Sequence, residues 1–213
     1  KILADLGHSS LTRWERLVGS AGLGGVSLES IDSTVGVAAD QLEVSQRFQF
    51  AQDMWQGRWL TAAEVQFRDT LSVTPDFAEA ANNLGLVHAT AGQHAKAVAA
   101  YQRALSVRED FAAGHMNLGL SLDALGQSPA AQTSLLRALE LDPALPKVND
   151  ALGLLHAKRG DLPAAKQYFE KETEVNPDFA EGFNHLGLIY LSLNQATSAL
   201  EPLRKAVSLD SQN

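Results

Sequence analysis

The chain has 213 residues, 45% of them hydrophobic and 20% charged, with no cysteine and a formal net charge of −8. That apolar fraction is ordinary for a folded chain and excludes disorder as the main state, while the missing cysteines exclude a disulfide framework, a thiolate metal site, a cysteine nucleophile and an iron–sulfur cluster. The acidic balance argues against phosphate recognition, which rests on clustered Lys and Arg, so nucleic acids and anionic membranes are not expected partners.

The chain opens on Lys1 rather than methionine, which reads as a processed chain or a segment of a longer one. The absent cysteines and the absent initiator lean toward export, with a cytoplasmic site left open. No run of roughly 18 apolar residues is present, so no membrane insertion is expected. Residues 1–40 form a separate amino-terminal segment. Within it Thr12-x-x-Glu15 has capping-box spacing, and Leu11, Trp14, Leu17 and Val18 could share one face of a short helix. The stretch "GSAGLGGVSLES" after it reads as a flexible connection; with no Lys-Ser or Lys-Thr behind the glycines, it does not read as a phosphate loop. Asp40-x-x-Glu43 then reads as the cap of the next helix.

From about residue 41 to residue 213 the chain repeats itself. Leu84-Gly85 returns as Leu118-Gly119, Leu152-Gly153 and Leu186-Gly187, each step being 34 residues. In the same register run Ala63, Ala97, Ala131, Ala165 and Ala199, each followed four residues later by Phe67, Tyr101, Leu135, Phe169 or Leu203. Pro75, Pro143 and Pro177 keep the same interval, with Glu109 where a proline is skipped. Five units follow: about 44–77, 78–111, 112–145, 146–179 and 180–213. Each reads as two helices. Gly92, Gly126 and Gly160 stop the first helix where positive φ is wanted, Asn194 takes the same stop in the last unit, and Gly57 sits one residue early in the first. Pro129 and Pro163 fall in the first turn of a second helix, where a missing N–H costs nothing. Pro202 falls deeper inside a second helix, which should distort it.

The Leu-Gly, Ala-x3-aromatic and Pro ladders on one 34-residue period resemble the tetratricopeptide repeat (TPR). The units "AEAANNLGLVHATAGQHAKAVAAYQRALSV" and "AEGFNHLGLIYLSLNQATSALEPLRKAVSL" carry most of that signature. The family's Trp is replaced by Arg47, Ala81, His115, Asn149 and Phe183; its Tyr is replaced by Met54, His88, Leu122 and His156 and kept at Tyr190. The resemblance implies an all-α fold, a right-handed α-solenoid of stacked helix–turn–helix repeats. It also implies a non-enzymatic scaffold that binds a partner peptide or protein segment on its concave face.

First helices line that face in the family. Carried over by position, the residue before each Leu-Gly points into the groove: Gln49, Asn83, Asn117, Ala151 and His185. Asn83 and Asn117 stand out, because an amide both donates to and accepts from one peptide unit; the plainer reading leaves them as solvated polar positions. The residue after each Leu-Gly is Leu86, Leu120, Leu154 or Leu188. These leucines either form an apolar strip for a ligand or pack between neighbouring first helices. The subclass that clamps a terminal carboxylate uses paired cations; the corresponding slots hold Glu79, Ala113, Lys147 and Glu181, so only Lys147 matches.

No constellation for chemistry is found, so catalytic, cofactor-binding and metal-ligating residues are all expected to be none. His88, His115 and His156 occupy aromatic positions of the repeat and read as packed imidazoles, and no two histidines show the i, i+4 spacing of a helical zinc site. Two other readings stay open. The chain could assemble head-to-tail as a homo-oligomer or filament through a last repeat with no polar capping helix, or serve as the docking region of a longer enzyme.

Overall fold

The computed structural model describes residues 44–211. Among them are ten helices and no strand. We label them α1 (Val44–Gln56), α2 (Leu60–Val73), α3 (Ala78–Thr90), α4 (His94–Val107), α5 (Ala112–Ala124), α6 (Ser128–Leu141), α7 (Val148–Lys158), α8 (Leu162–Val175), α9 (Ala180–Ser192) and α10 (Ala196–Asp210). The Thr12–Glu15 helix, the Gly/Ser-rich stretch and the Asp40–Glu43 cap read from the sequence lie outside the described residues. The helices pair as antiparallel hairpins, one per repeat, and the fold is an all-α solenoid. The described residues divide into two compact units on either side of Val107 and Arg108; α1–α4 belong to the first and α5–α10 to the second.

Packing explains the ladders. A Cβ built on Gly119 would stand 2.7 Å from Leu135 Cγ, one on Gly153 2.6 Å from Phe169 Cε1, and one on Gly187 2.5 Å from Leu203 Cγ. The glycine of Leu-Gly is therefore the floor on which the large side chain of the second helix rests, inside its own hairpin. Ala63, Ala97, Ala131 and Ala165 are fully buried, which lets the two helices close up. Phe67, Tyr101, Leu135 and Phe169 are no more than 2% exposed, and burying such a side chain stabilises by about 1.5–3 kcal/mol. In the first repeat Phe50 and Ala51 replace Leu-Gly and are equally buried. There Phe48 fills space between helices, its ring 5.9 Å from Phe67 and 4.6 Å from Phe77.

Register decides the turns more firmly than residue type. Gly92, Gly126, Gly160 and Asn194 all have positive φ as expected, but in the first repeat the left-handed residue is Arg58 (φ 63°), not Gly57. Arg58 is the residue 34 before Gly92, so the hairpin imposes the conformation even on a side chain that resists it. Pro202 does not end its helix. α10 runs unbroken from Ala196 to Asp210 with Pro202 buried inside it. Burial of the ring offsets part of the lost backbone hydrogen bond.

The fourth repeat starts differently from its neighbours. α3, α5 and α9 open at the first register position, whereas α7 opens two residues late, after Pro146 and a left-handed Lys147 (φ 72°). The resulting gap at its amino end is filled by a side chain from α8, described next.

Candidate functional site

In the second unit, α5, α7 and α9 are the first helices of three successive repeats, and neighbouring ones touch. Leu118, Leu152 and Leu186 point into the core at 8%, 0% and 7% exposure. Two residues on, about 200° around the helix, the side chain must face the other way. Leu120, Leu154 and Leu188 do so, at 45%, 36% and 49% exposure, with Leu191 beside Leu188 at 46%. An equivalent leucine on each of three adjacent helices makes a row across them. Lys158 of α7 reaches Asp123 of α5 and ties the carboxyl ends of those two helices together. In the first unit the equivalent Leu86 is half-buried.

The polar row one turn earlier is set deeper. Asn117 is buried and Ala151 is buried beside it in register. Asn83 is half-buried, its side-chain oxygen accepting from Asn82 Nδ2 at 3.3 Å. Gln49 is exposed and donates to Asp53 Oδ1 at 3.0 Å, within its own helix. His185 is half-buried, and its Nδ1 lies 2.7 Å from Asp150 Oδ1 on α7. The second unit thus brings Asn117, His185, Leu120, Leu154 and Leu188 onto its first-helix face, while Gln49, Asn83 and Leu86 belong to the other unit.

Sequence reasoning missed the polar cluster beneath that face. Glu172 of α8 is completely buried, at a register position held by Ala104, Ala138 and Ala206 in other repeats. Its carboxylate accepts from Lys147 N–H at 2.7 Å, from Asp150 N–H at 3.3 Å and from Asn176 Nδ2 at 3.2 Å. It is the amino-terminal cap of the late-starting α7, supplied from the neighbouring helix instead of from the chain before it. A buried carboxylate is tolerable only with such donors. Lys147 lies over the Phe179 ring, 5.0 Å from its centroid. The hydrogen bond to Asp150 raises the His185 pKa above the ordinary histidine value, with burial opposing and the charges of Asp150 and Glu181 adding. The sequence signal was the irregular "DPALPKVND" where other repeats read "PDFAEA" or "PDFAEG".

His88, His115 and His156 sit among packing and hydrogen-bonding partners. His88 is buried; His115 Nε2–H donates to the Glu109 carbonyl at 2.9 Å. His156 stacks on Tyr168 at 5.3 Å, with Nδ1 3.1 Å from Asp161 Oδ2 and Nε2 3.4 Å from Gln132 Nε2. Tyr190, the one retained family tyrosine, donates to Glu170 Oε1 at 2.7 Å, and that bond pushes its pKa up to about 12. Among the described residues no three His, Asp or Glu side chains converge as metal ligands, and no helix is long and apolar enough to cross a membrane.

Models of the tetratricopeptide repeat match residues 48–114 and 151–213, and a further one matches residues 112–145. The chain belongs to the tetratricopeptide-repeat family. No curated protein matches its sequence. Among solved structures, YrrB, described as a TPR protein with an unusual peptide-binding site, is 25% identical with a TM-score of 0.60, covering 78% of this chain and 86% of its own. PilF of Pseudomonas aeruginosa is 24% identical with a TM-score of 0.69, covering 79% of this chain and 75% of its own. MamA of Desulfovibrio magneticus RS-1 is 18% identical with a TM-score of 0.68, covering 80% of this chain and 96% of its own. The last two likenesses speak to the TPR fold alone.

Proposed function

We propose that this TPR chain is a non-enzymatic interaction scaffold whose second unit holds a partner polypeptide across α5, α7 and α9. One observation carries the reading: Leu120, Leu154 and Leu188 stand exposed at one register position of three adjacent helices. Three large apolar side chains in a row on a solvent face are a contact surface. Asn117 and His185, one turn away on the same helices, supply polar contacts at its edge; Asn83, Gln49 and Leu86 are the matching positions of the first unit. The description of YrrB as peptide-binding supports the same class of partner.

Spacing narrows the partner's shape. Packed helices lie about 8–10 Å apart. An extended polyproline-II segment rises about 3.1 Å per residue, so apolar residues three apart meet successive leucines. Alternate residues of a β-strand, about 6.7 Å apart, do not. The test selects binding peptides from a random library with the intact chain, then measures them against a Leu120→Ser/Leu154→Ser/Leu188→Ser variant. Selected peptides should carry apolar residues at three-residue intervals and lose most of their affinity for the variant. Unchanged affinity in a folded variant refutes the site.

A second reading, end-to-end assembly, is favoured by Leu200 and Val207 of α10, exposed at 52% and 71%. The register equivalents of Leu200 touch the following first helix, Gln132 at His156 and Lys166 at the Tyr190 ring. The exposed residues of α1, however, are Ser45, Gln46, Gln49 and Gln56, a polar face that does not complement an apolar one. Light scattering over a concentration series separates the readings.

A further inference from the structure

We propose that Asp150 and His185 form a proton-operated latch between the fourth and fifth repeats, closed when the imidazole is charged and loosened when it is neutral. The pair joins the two first helices α7 and α9 directly, through the 2.7 Å contact of His185 Nδ1 with Asp150 Oδ1. No other junction has it. The register equivalents of His185 are Ala151, Asn117, Asn83 and Gln49, and those of Asp150 are Asn184, Met116, Asn82 and Phe48.

The surroundings make the charge on His185 consequential. The Asp150 side chain is only 10% exposed. Its own backbone N–H is committed to Glu172, so a second, completely buried carboxylate lies against the same turn. Among the described residues, the groups around the pair come from three helices. From α7 comes Asp150, and Lys147 precedes that helix with its ammonium over Phe179. From α8 comes the Phe169 ring, whose centroid is 5.4 Å from that of His185, while Glu172 of the same helix accepts from Asp150 N–H behind the pair. From α9 itself comes Glu181, one turn earlier, whose charge also favours the imidazolium. Two carboxylates, Asp150 and Glu181, thus act on the histidine, and a third, Glu172, lies behind Asp150.

The sign follows from linkage. A histidine whose pKa is raised by folding contributes stability that is fully present below its unfolded value of about 6.5 and is lost as pH rises through the folded value. Above that window the neutral ring still donates Nδ1–H to Asp150, but the charge that offset the Asp150 carboxylate is gone. Mild acid therefore closes the junction and mild alkali loosens it. His185 is three residues before Leu188, and Asp150 four before Leu154, so the latch sets how those two leucines are held relative to each other. That last consequence, and only that one, rests on the leucine row being the partner surface.

The test needs no partner. Hydrogen exchange of the α9 amides in the full chain, corrected for intrinsic rates, is followed from pH 6 to 8.5, and the His185 ring is titrated by NMR. The His185 pKa should lie above about 6.5 and return toward it in Asp150→Asn. Protection of α9 should fall at least about threefold across the range, tenfold for each full unit of pKa shift. His185→Asn keeps a donor near the Nδ1 position and cannot titrate, so it should stay flat at the wild-type alkaline level. A flat wild type, or a variant with the same fall, overturns the latch. Should the latch hold while peptide affinity ignores both pH and the leucine variant, the partner surface is wrong and the latch stands.

Discussion

Replacing Glu172 by alanine tests the capping arrangement against the family's own preference. Alanine occupies this register position at Ala104, Ala138 and Ala206, so repeat statistics alone make Glu172→Ala neutral or stabilising. The geometry gives the opposite sign. The carboxylate is the acceptor for Lys147 N–H and Asp150 N–H, at a helix end where Val148, Asn149 and Asp150 are all buried. Losing a helix cap costs about 0.5–2 kcal/mol, and a buried donor left unpaired costs about 1–3 kcal/mol. Relief of the buried charge and of its repulsion with Asp150 returns part of this. The net loss is about 2–3 kcal/mol, or roughly 10 °C in Tm for a unit of this size. Asn176 contributes little to the sum, because it is only half-buried and can turn to water. Glu172→Gln keeps an acceptor for Lys147 N–H without the charge and should fall between, near 1 kcal/mol. Calorimetry gives the Tm, and hydrogen exchange at 148–151 localises the effect. A Glu172→Ala variant that melts at or above the wild-type temperature refutes the capping role.

Two further substitutions probe the packing. Leu152 is fully buried, so Leu152→Ala should cost about 2–5 kcal/mol and, in a solenoid, spread its damage to neighbouring repeats; an unchanged melting curve contradicts the register. Arg58 adopts φ 63°, where a side chain is disfavoured by about 1–2 kcal/mol. Arg58→Gly relieves that strain against a larger entropy cost and should raise the stability of the first unit by roughly 0.5–1 kcal/mol, read by chemical denaturation.

What the sequence made legible is what the repeats share. The Leu-Gly, alanine and aromatic ladders mark positions where one packing solution is used again and again, so periodicity alone locates the hairpins. It even places the left-handed turn at residue 58, provided register is followed in preference to the nearby Gly57. Orientation was harder. Asn117 and Leu120 are both three or fewer residues from the buried Leu118, and a modest rotation of a helix decides which of them meets solvent. That is why the leucine row, and not the asparagine row, turned out to be the open one.

The polar cluster was illegible for the opposite reason, since it is built from what one repeat does differently. Pro146 and Lys147 delay α7, the late start leaves N–H groups facing α8, and Glu172 answers them from 25 residues away. Asp150, drawn against that carboxylate, then finds its counter-charge 35 residues on, in the next repeat. Each partner is unremarkable in a single-sequence reading, because a glutamate among alanines looks like tolerated drift until the donors around it are counted. The deviation from the repeat is thus where this chain departs from a generic stack. A regular array gives every junction the same strength; one irregular helix start gives the last junction a charge that pH can change.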